Sequence, residues 1–339
     1  MSEIKFPHIQ SAHCENGVVS NMLRFHGHDF SEPMVFGIGA GIFFSHIPFV
    51  KVSGLPGTSY RIWPGQIFKR FAKRTGIEVK SHTYSNTSKA MDALDQMLEN
   101  GIPVGLLTSV FYLTYLPDAF RFHFNAHNIV VYGKSGNEYL VSDPVMDTVS
   151  RIHRDDLIRA RFAKGIPEPN GKMYYPVGFP KQYDLNYAVW RGVRQAGYGM
   201  SQIPLPWFGK KGIRLMADKV QSYPDKLSAR DAIRYLGNIV RMQEEIGTGG
   251  AGFRFVYAAF LKEAGDKLNN DELREFSNEM TVIGDKWRDF AYYAGRTCKN
   301  RKNDTNTYHE LADRLRECAN DEEVFFTKLY QVAGKKLKS

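Results

Sequence analysis

The spacing of hydrophobic residues changes partway along the chain, and this change constrains the fold more than any other feature. Up to about Asp143, short apolar runs such as 103–116 and 128–132 alternate with glycine and proline. Runs of this kind are typical of strands mixed with short helices. After about Leu185, apolar residues recur every three or four positions, as they do in amphipathic helices. The sequence therefore predicts an α+β domain followed by a mainly α-helical domain.

A stretch rich in proline and glycine separates the two patterns of hydrophobic residues. We divide the chain into a first domain, a linker and a helical domain at residues 1–163, 164–184 and 185–339. In the helical domain, Ser228 with Asp231 resembles a capping box, and Asn270 is suited to cap a long helix. That helix carries an apolar stripe: Leu273, Phe276, Met280, Ile283, Trp287, Phe290 and Ala294. Such a stripe predicts packing in a helical bundle.

Cysteine content and the absence of a long apolar segment bear on the compartment. Only Cys14, Cys298 and Cys318 occur, an odd and sparse set that argues against a disulfide scaffold and for a reducing compartment. The N-terminus lacks a basic segment followed by an apolar core, so no secretory signal is predicted. The longest uncharged run, 33–50, contains glycines and Pro48, which favours a buried strand, turn and helix over a membrane span. We expect a cytoplasmic protein.

The chain is basic, because Lys plus Arg exceed Asp plus Glu by 45 to 36, a net charge of +9. A basic surface favours acidic partners. The cluster of Lys69, Arg70, Lys73 and Arg74 fits a docking surface for an acidic protein, the alternative being a solvated helix face, which most such clusters are. No nucleic-acid-binding module is recognised, so no nucleic-acid partner is expected. The histidines and cysteines show no pair at metal-ligand spacing, and we predict no metal.

Cys14 precedes a short amphipathic segment, residues 18–23, with Gly27 suited to end the helix. The cysteine is therefore expected at or near a helix N-terminus. There the helix dipole and free backbone N–H groups stabilise a thiolate and can hold an oxyanion. His13 and Glu15 flank it with polar groups, unlike the surroundings of a core cysteine. The alternative is that Cys14 is a small buried hydrophobic side chain.

Residues 127–143 predict a β-hairpin that brings a histidine and an aspartate together. If residues 134–136 form the loop, His127 faces Asp143 directly, with Cβ atoms roughly 5 Å apart. A two-residue loop shifts the pairing by one residue and keeps the two as neighbours. An imidazole oriented by a carboxylate is the base that a cysteine nucleophile needs. We therefore predict a Cys14, His127 and Asp143 catalytic site, the alternative being a strand-end histidine and a turn aspartate.

The chain resembles a known family at a series of short motifs. In the first half the resemblance is carried by His13, Cys14, Gly17, Ser31, Glu32, Phe36, Gly37, Gly39, Gly41, His127, Asp143 and Pro144. Their order is similar to that in the N-terminal domain of butirosin biosynthesis protein H, a papain-like acyltransferase fold. The second half resembles the helical domain of unknown function that often follows it, through Ser201, Pro204, Pro206, Trp207, Gly212, the glycines of 247–250, Phe253 and Arg254.

The resemblance implies an acyltransferase of a biosynthetic pathway, such as antibiotic or other secondary-metabolite synthesis. Cys14 would take an acyl group from the thioester of an acidic acyl carrier protein and pass it to an amine on a small molecule. The enzyme itself would bind no cofactor, since the phosphopantetheine arm belongs to the carrier. Glu32 and His13 are candidates to shape the site or orient the acceptor amine; for Glu32, capping a helix with Ser31 is the favoured alternative. A homo-oligomer is left open.

Gly249, Gly250 and Arg254 form a glycine-rich segment before a predicted helix. Its N–H groups and arginine could contact a phosphate, such as that of the phosphopantetheine arm. A purely structural turn is the favoured alternative, since the Lys-Ser/Thr pair of a phosphate loop is absent.

Two other functions fit the same residues. The first is a cysteine peptidase or amidase, which would use the same triad with water as the acceptor. The second is a basic, non-catalytic binding protein in which Cys14 is structural.

Overall fold

The computed structural model describes residues 4–52, 54–301 and 304–338. In chain order, the described residues form α1 (Cys14–Phe25), α2 (Glu32–Ile38), β1 (Ile42–Val52), β2 (Leu55–Arg61), α3 (Gln66–Thr75), β3 (Glu78–His82), α4 (Thr87–Glu99), β4 (Val104–Thr108), β5 (His127–Ser135), β6 (Glu138–Ser142), β7 (Ser150–His153), α5 (Arg154–Arg161), β8 (Met173–Gly178), α6 (Leu185–Ser201), α7 (Gly209–Gln221), α8 (Tyr223–Lys226), α9 (Ala229–Glu244), α10 (Arg254–Lys267), α11 (Asp271–Lys299) and α12 (Thr305–Lys336).

The chain divides into two compact units that differ from the predicted domains. Unit 1 consists of Met1–Val35 and Thr75–Tyr183, and unit 2 consists of Phe36–Arg74 and Asp184–Ser339. The predicted fold class, α+β followed by mainly helical, is confirmed. The predicted boundary is not, because the β1–β2 hairpin packs on α7 and α9 and so belongs with the helices.

Unit 1 is built on a six-stranded antiparallel sheet with the order β3-β8-β4-β5-β6-β7. Strand β8 lies between β3 and β4, so the prediction of a linker at 164–184 is wrong. One proline of this stretch, Pro176, lies within β8 and is tolerated because β4 pairs only with Met173 and Tyr174. After Tyr174, the edge of β8 that faces β4 is not paired, so the proline does not remove a hydrogen bond between these two strands.

The two faces of this sheet carry different helices, because successive side chains of a strand point to opposite faces. On one face, Ile129 and Val131 of β5 belong to a buried apolar cluster with the side chains of α4. On the other face, Tyr132 stacks on Phe6, which in turn stacks on Phe25 at the end of α1. Helix α1 therefore lies on the face opposite α4, with its first residue near the beginning of β5.

In unit 2, the predicted helix signals correspond to real helix starts. The Ser228 hydroxyl accepts from the main-chain N–H of Asp231, and the Asn270 side chain accepts from the N–H of Leu273. All seven residues of the predicted stripe on α11 are buried. The uncharged run 33–50 forms α2, a turn and β1. Of the helices described, none is long and apolar enough to cross a membrane.

A buried histidine in unit 2 makes stability depend on pH. His46 on β1 is 1% exposed, and its Nδ1 lies 2.9 Å from the Thr58 hydroxyl. Its Nε2 has no hydrogen-bond partner within the described part of the chain. Burial, with Lys219 and Lys51 nearby, lowers the pKa of His46 from 6.5 to about 4. Between about pH 4 and pH 6.5, the folded protein therefore holds a neutral imidazole, whereas the unfolded chain holds a charged one.

We predict that acid destabilises the protein through His46. The unfolded chain binds the proton below pH 6.5 and the folded chain only near pH 4, so stability is lost as the pH falls between these values. The loss should approach about 3 kcal/mol. Urea unfolding of the native chain and of His46→Gln, compared at about pH 7 and about pH 4.5, measures the effect. Equal losses in both proteins would contradict the assignment.

Candidate active site

Cys14 is the first residue of α1, as the sequence predicts. His13 is extended, with φ −123° and ψ 127°, and the first helical hydrogen bond runs from the N–H of Gly17 to the carbonyl of His13. The helix ends before Gly27, which adopts a positive φ of 80°. The Cys14 side chain is 7% exposed. The thiol therefore lies where the backbone N–H groups of the first turn have no helical acceptor.

His127 and Asp143 are in contact, with 2.8 Å between His127 Nε2 and Asp143 Oδ2. The predicted proximity is confirmed, but the predicted register is wrong. The loop has two residues, since Ser135 pairs with Glu138, and a register shift follows between Val131 and Gly133. The position of the turn displaces the register, and the irregularity moves the pairing one position back; continued from the Val130–Ser142 pair, His127 and Asp143 are two positions from direct opposition.

Electrostatic coupling joins the three predicted residues. Burial alone would lower the pKa of His127, but the Asp143 carboxylate and a hydrogen bond with Cys14 raise it well above its ordinary value. Burial would raise the pKa of Asp143, but His127, Tyr115 and the N–H of Val145 hold it below its ordinary value. Because Nε2 is bound to Asp143, Nδ1 is the nitrogen left for the thiol. This geometry favours an imidazolium beside a thiolate.

The segment before Cys14 forms hydrogen bonds with the residues on either side of Asp143. His8 Nδ1 lies 2.8 Å from the Ser142 hydroxyl, and the N–H of Ser11 donates to the Pro144 carbonyl at 2.6 Å. A Cβ at Gly17 would lie 2.5 Å from the Pro144 side chain. Glycine is therefore required for α1 to approach this loop so closely.

Glu32 holds the same segment from another side. Its two carboxylate oxygens accept from the main-chain N–H groups of Ala12 and His13, at 2.9 and 2.7 Å. Ser31 caps α2 by accepting from the N–H of Met34. Burial raises the pKa of Glu32, while the two N–H groups oppose the shift. Of the predicted roles, shaping the site fits this geometry better than binding an acceptor amine, since both oxygens already have partners.

Three further side chains near the site were not predicted from the sequence. The Tyr115 hydroxyl donates to Asp143 Oδ2 at 2.8 Å. The Asn128 amide lies 3.9 Å from Cys14 Sγ, and the Tyr174 hydroxyl donates to that amide's oxygen at 2.7 Å. For Asn128, the available signal was its place directly after His127 on a predicted strand.

The predicted phosphate contact is not available in this structure. Arg254 is fully buried, and it forms two hydrogen bonds with the carboxylate of Glu322, at 2.7 and 3.0 Å. Gly249 is exposed, but the N–H of Gly250 is bound by Thr248. A buried guanidinium needs a carboxylate partner, which is the physical reason for the pair. The structural-turn alternative therefore fits, and the phosphate prediction does not.

The predicted docking cluster on α3 is only half available. Lys69 and Lys73 are exposed, whereas Arg70 and Arg74 are half-buried and donate to the carbonyls of Ala40 and Ile38. The two arginines thus support the turn between α2 and β1. Among the residues described, no group of three or more His, Cys, Asp or Glu side chains could hold a metal ion.

We predict that Asp143→Asn lowers turnover by about ten- to a thousandfold while leaving the hairpin folded, because asparagine keeps a hydrogen bond to the imidazole. The imidazolium loses its counter-charge, so Cys14 should become a thiolate only at higher pH. Asp143→Ala should lower turnover further than Asp143→Asn. The pH dependence of Cys14 alkylation in the three proteins measures this, and superimposed profiles would restrict Asp143 to a turn role.

Comparison with known families and structures gives three results. Residues 13–144 match the family described as Butirosin biosynthesis protein H, N-terminal, and residues 155–329 match Domain of unknown function (DUF4872). No curated protein matches the chain. Among solved structures, the chain is similar to one described as a C39-like peptidase from Bacillus anthracis, with 16% identity, a TM-score of 0.37, and coverage of 52% of this chain and 96% of that one. Residues 13–144 are thus similar to the N-terminal domain of butirosin biosynthesis protein H, and the chain belongs to the DUF4872 family.

Proposed function

We propose that this protein is a papain-like cysteine acyltransferase that moves an acyl group from an acyl-carrier-protein thioester, through Cys14, to an amine. The observation that carries the proposal is the coupling of Cys14, His127 and Asp143 at the start of α1. The match of residues 13–144 to the butirosin biosynthesis protein H family supports acyl transfer in a biosynthetic pathway. The finer parts, the carrier and the amine, are the ones to test.

In the first half-reaction, the Cys14 thiolate attacks the carbonyl carbon of the carrier thioester. The tetrahedral oxyanion is held by the main-chain N–H of Cys14 at the helix N-terminus. The bond from the acyl carbon to the carrier sulfur then breaks, and the His127 imidazolium gives its proton to that leaving thiolate. The products are a Cys14 thioester and a free carrier thiol.

In the second half-reaction, the amine nitrogen attacks the Cys14 thioester. His127, now neutral and oriented by Asp143, accepts a proton from the amine as the amide bond forms. The bond from the acyl carbon to Sγ breaks, and Cys14 returns to the thiolate beside the imidazolium. Exchange of one thioester for another is nearly balanced, so formation of the amide drives the reaction.

A peptidase or amidase remains the rival within the same geometry. Water would take the place of the amine, and the product would be a carboxylic acid. The two functions differ in a single observation, namely whether the acyl-enzyme transfers to an amine faster than it hydrolyses.

We predict that incubation with a panel of acyl-carrier thioesters adds one acyl mass to the native chain, localised to Cys14 by peptide mapping. Cys14→Ala should show no adduct and stay folded, and Cys14→Ser should be nearly as inactive, because an alkoxide is far harder to generate with the same imidazole. Intact-protein mass spectrometry measures this. Full activity in either variant would exclude the covalent route.

We predict that an acidic carrier docks on the exposed lysines of α3. Positive charge accumulates there, because Lys69, Arg70, Lys73 and Arg74 lie on the same short helix. Lys69→Glu with Lys73→Glu should raise the carrier KM several-fold at low salt and spare a small-molecule thioester.

The matched control is Lys226→Glu with Arg230→Glu, an equal charge change at exposed residues of α8 and α9. The control should leave the carrier KM unchanged. An equal rise in both variants would assign the effect to net charge, and no rise in either would remove this docking surface.

A further inference from the structure

The side chain of Asn128 lies beneath the candidate nucleophile, on the face of the sheet that α1 covers. It is 5% exposed, and its Nδ2 is 3.9 Å from Cys14 Sγ. Asn128 follows His127 directly on β5, so the two residues that contact the thiol come from adjacent positions of one strand. Neither the mechanism above nor the family match assigns Asn128 a role.

The orientation of this amide is fixed by its other partners. Nδ2 also lies 3.3 Å from the carbonyl oxygen of Ala126, which can only accept a hydrogen bond. The nitrogen must therefore be on the side of Ala126 and Cys14. The amide oxygen faces Tyr174, whose hydroxyl donates to it at 2.7 Å. Tyr174 is itself buried on β8 and so cannot exchange this bond for bulk water.

We propose that Asn128 donates an N–H to the Cys14 thiolate and that Tyr174 is a positioning residue that holds the amide in this orientation. The inference rests on the proposed function, because it assumes that Cys14 reacts as a thiolate. A neutral donor stabilises the anion without adding a charge, and a hydrogen bond to the charged form lowers a pKa. Tyr174 acts only through Asn128, since its hydroxyl is bound to the amide oxygen.

Several other ionisable groups lie near the same sulfur, and their effects on the thiol must be distinguished from that of Asn128. His127, with Asp143 behind it, favours the thiolate. Tyr174 stays protonated, because burial, with Glu15 and Cys14 nearby, raises its pKa well above the ordinary value. Glu15 and Glu32 lie at the start of α1 and α2, where their carboxylates oppose a neighbouring anion. Removing the Asn128 donor leaves all of these groups in place.

The test is the rate of Cys14 alkylation by iodoacetamide across pH, read by peptide mass spectrometry. Asn128→Ala should move the midpoint of the rate profile upward by about one pH unit, a tenfold smaller thiolate fraction below the midpoint. Tyr174→Phe should move it in the same direction by less. The combined variant should match Asn128→Ala alone, because Tyr174 acts through the amide. Tyr174→Phe keeps the buried ring, so its rate profile can still be measured if Asn128→Ala does not fold.

Asn125→Ala is the matched control. Asn125 is 8% exposed, lies three residues from Asn128 and donates to the carbonyl of Lys164 rather than to Cys14. Its profile should superimpose on that of the unsubstituted protein. Equal shifts for Asn125 and Asn128, or full additivity of the Tyr174 and Asn128 shifts, would overturn the inference.

The unsubstituted protein separates this inference from the proposed function. An ordinary thiol profile for Cys14 would overturn the proposed function. A low midpoint that neither Asn128→Ala nor Tyr174→Phe moves would overturn only the inference.

Discussion

The candidate site depends on how the backbone immediately before Cys14 is held. Glu32 accepts the main-chain N–H groups of Ala12 and His13, and Ser11 donates to the carbonyl of Pro144. These bonds hold the segment up to His13, whose backbone is extended, and α1 begins at the next residue, Cys14. Because Pro144 directly follows Asp143, the same segment also sets the distance between the nucleophile and the loop of the orienting carboxylate. One half-buried glutamate and one backbone contact thus align groups from distant parts of the sequence.

The parts of this site that follow from local patterns could be predicted from the sequence. The few residues around Cys14 predict the start of a helix. The hairpin that brings His127 to Asp143 is contained in one short segment of the sequence. The register could not be predicted, because it depends on which residues form the turn, here 136 and 137 rather than 134–136, and on an irregularity between Val131 and Gly133. The two side chains are still in contact, since a shift of two positions at the hairpin end leaves them within reach of each other.

The parts that failed depend on residues far apart in the chain. Arg254 follows a glycine-rich turn, a pattern that suits a phosphate, but its charge is neutralised by Glu322, which is 68 positions away on α12. The donation from Tyr174 to Asn128 likewise joins two strands that are not neighbours in the sequence or the sheet. Strand β8 lies in the stretch predicted as a linker because prolines and glycines are frequent there, and it tolerates Pro176 because that residue lies beyond the part that pairs with β4. Partners of this kind become visible only once the sheet order is known.

The central claim is that His127 is an imidazolium beside a Cys14 thiolate, and nitrogen NMR of the histidine side chains tests it most directly. The signals of His127 can be assigned by their loss in His127→Gln. The account predicts that both ring nitrogens of His127 carry protons at neutral pH, and that alkylation of Cys14 lowers the pKa of the ring because the neighbouring anion is gone. A neutral His127 that titrates near the ordinary histidine pKa, with or without alkylation, would contradict it.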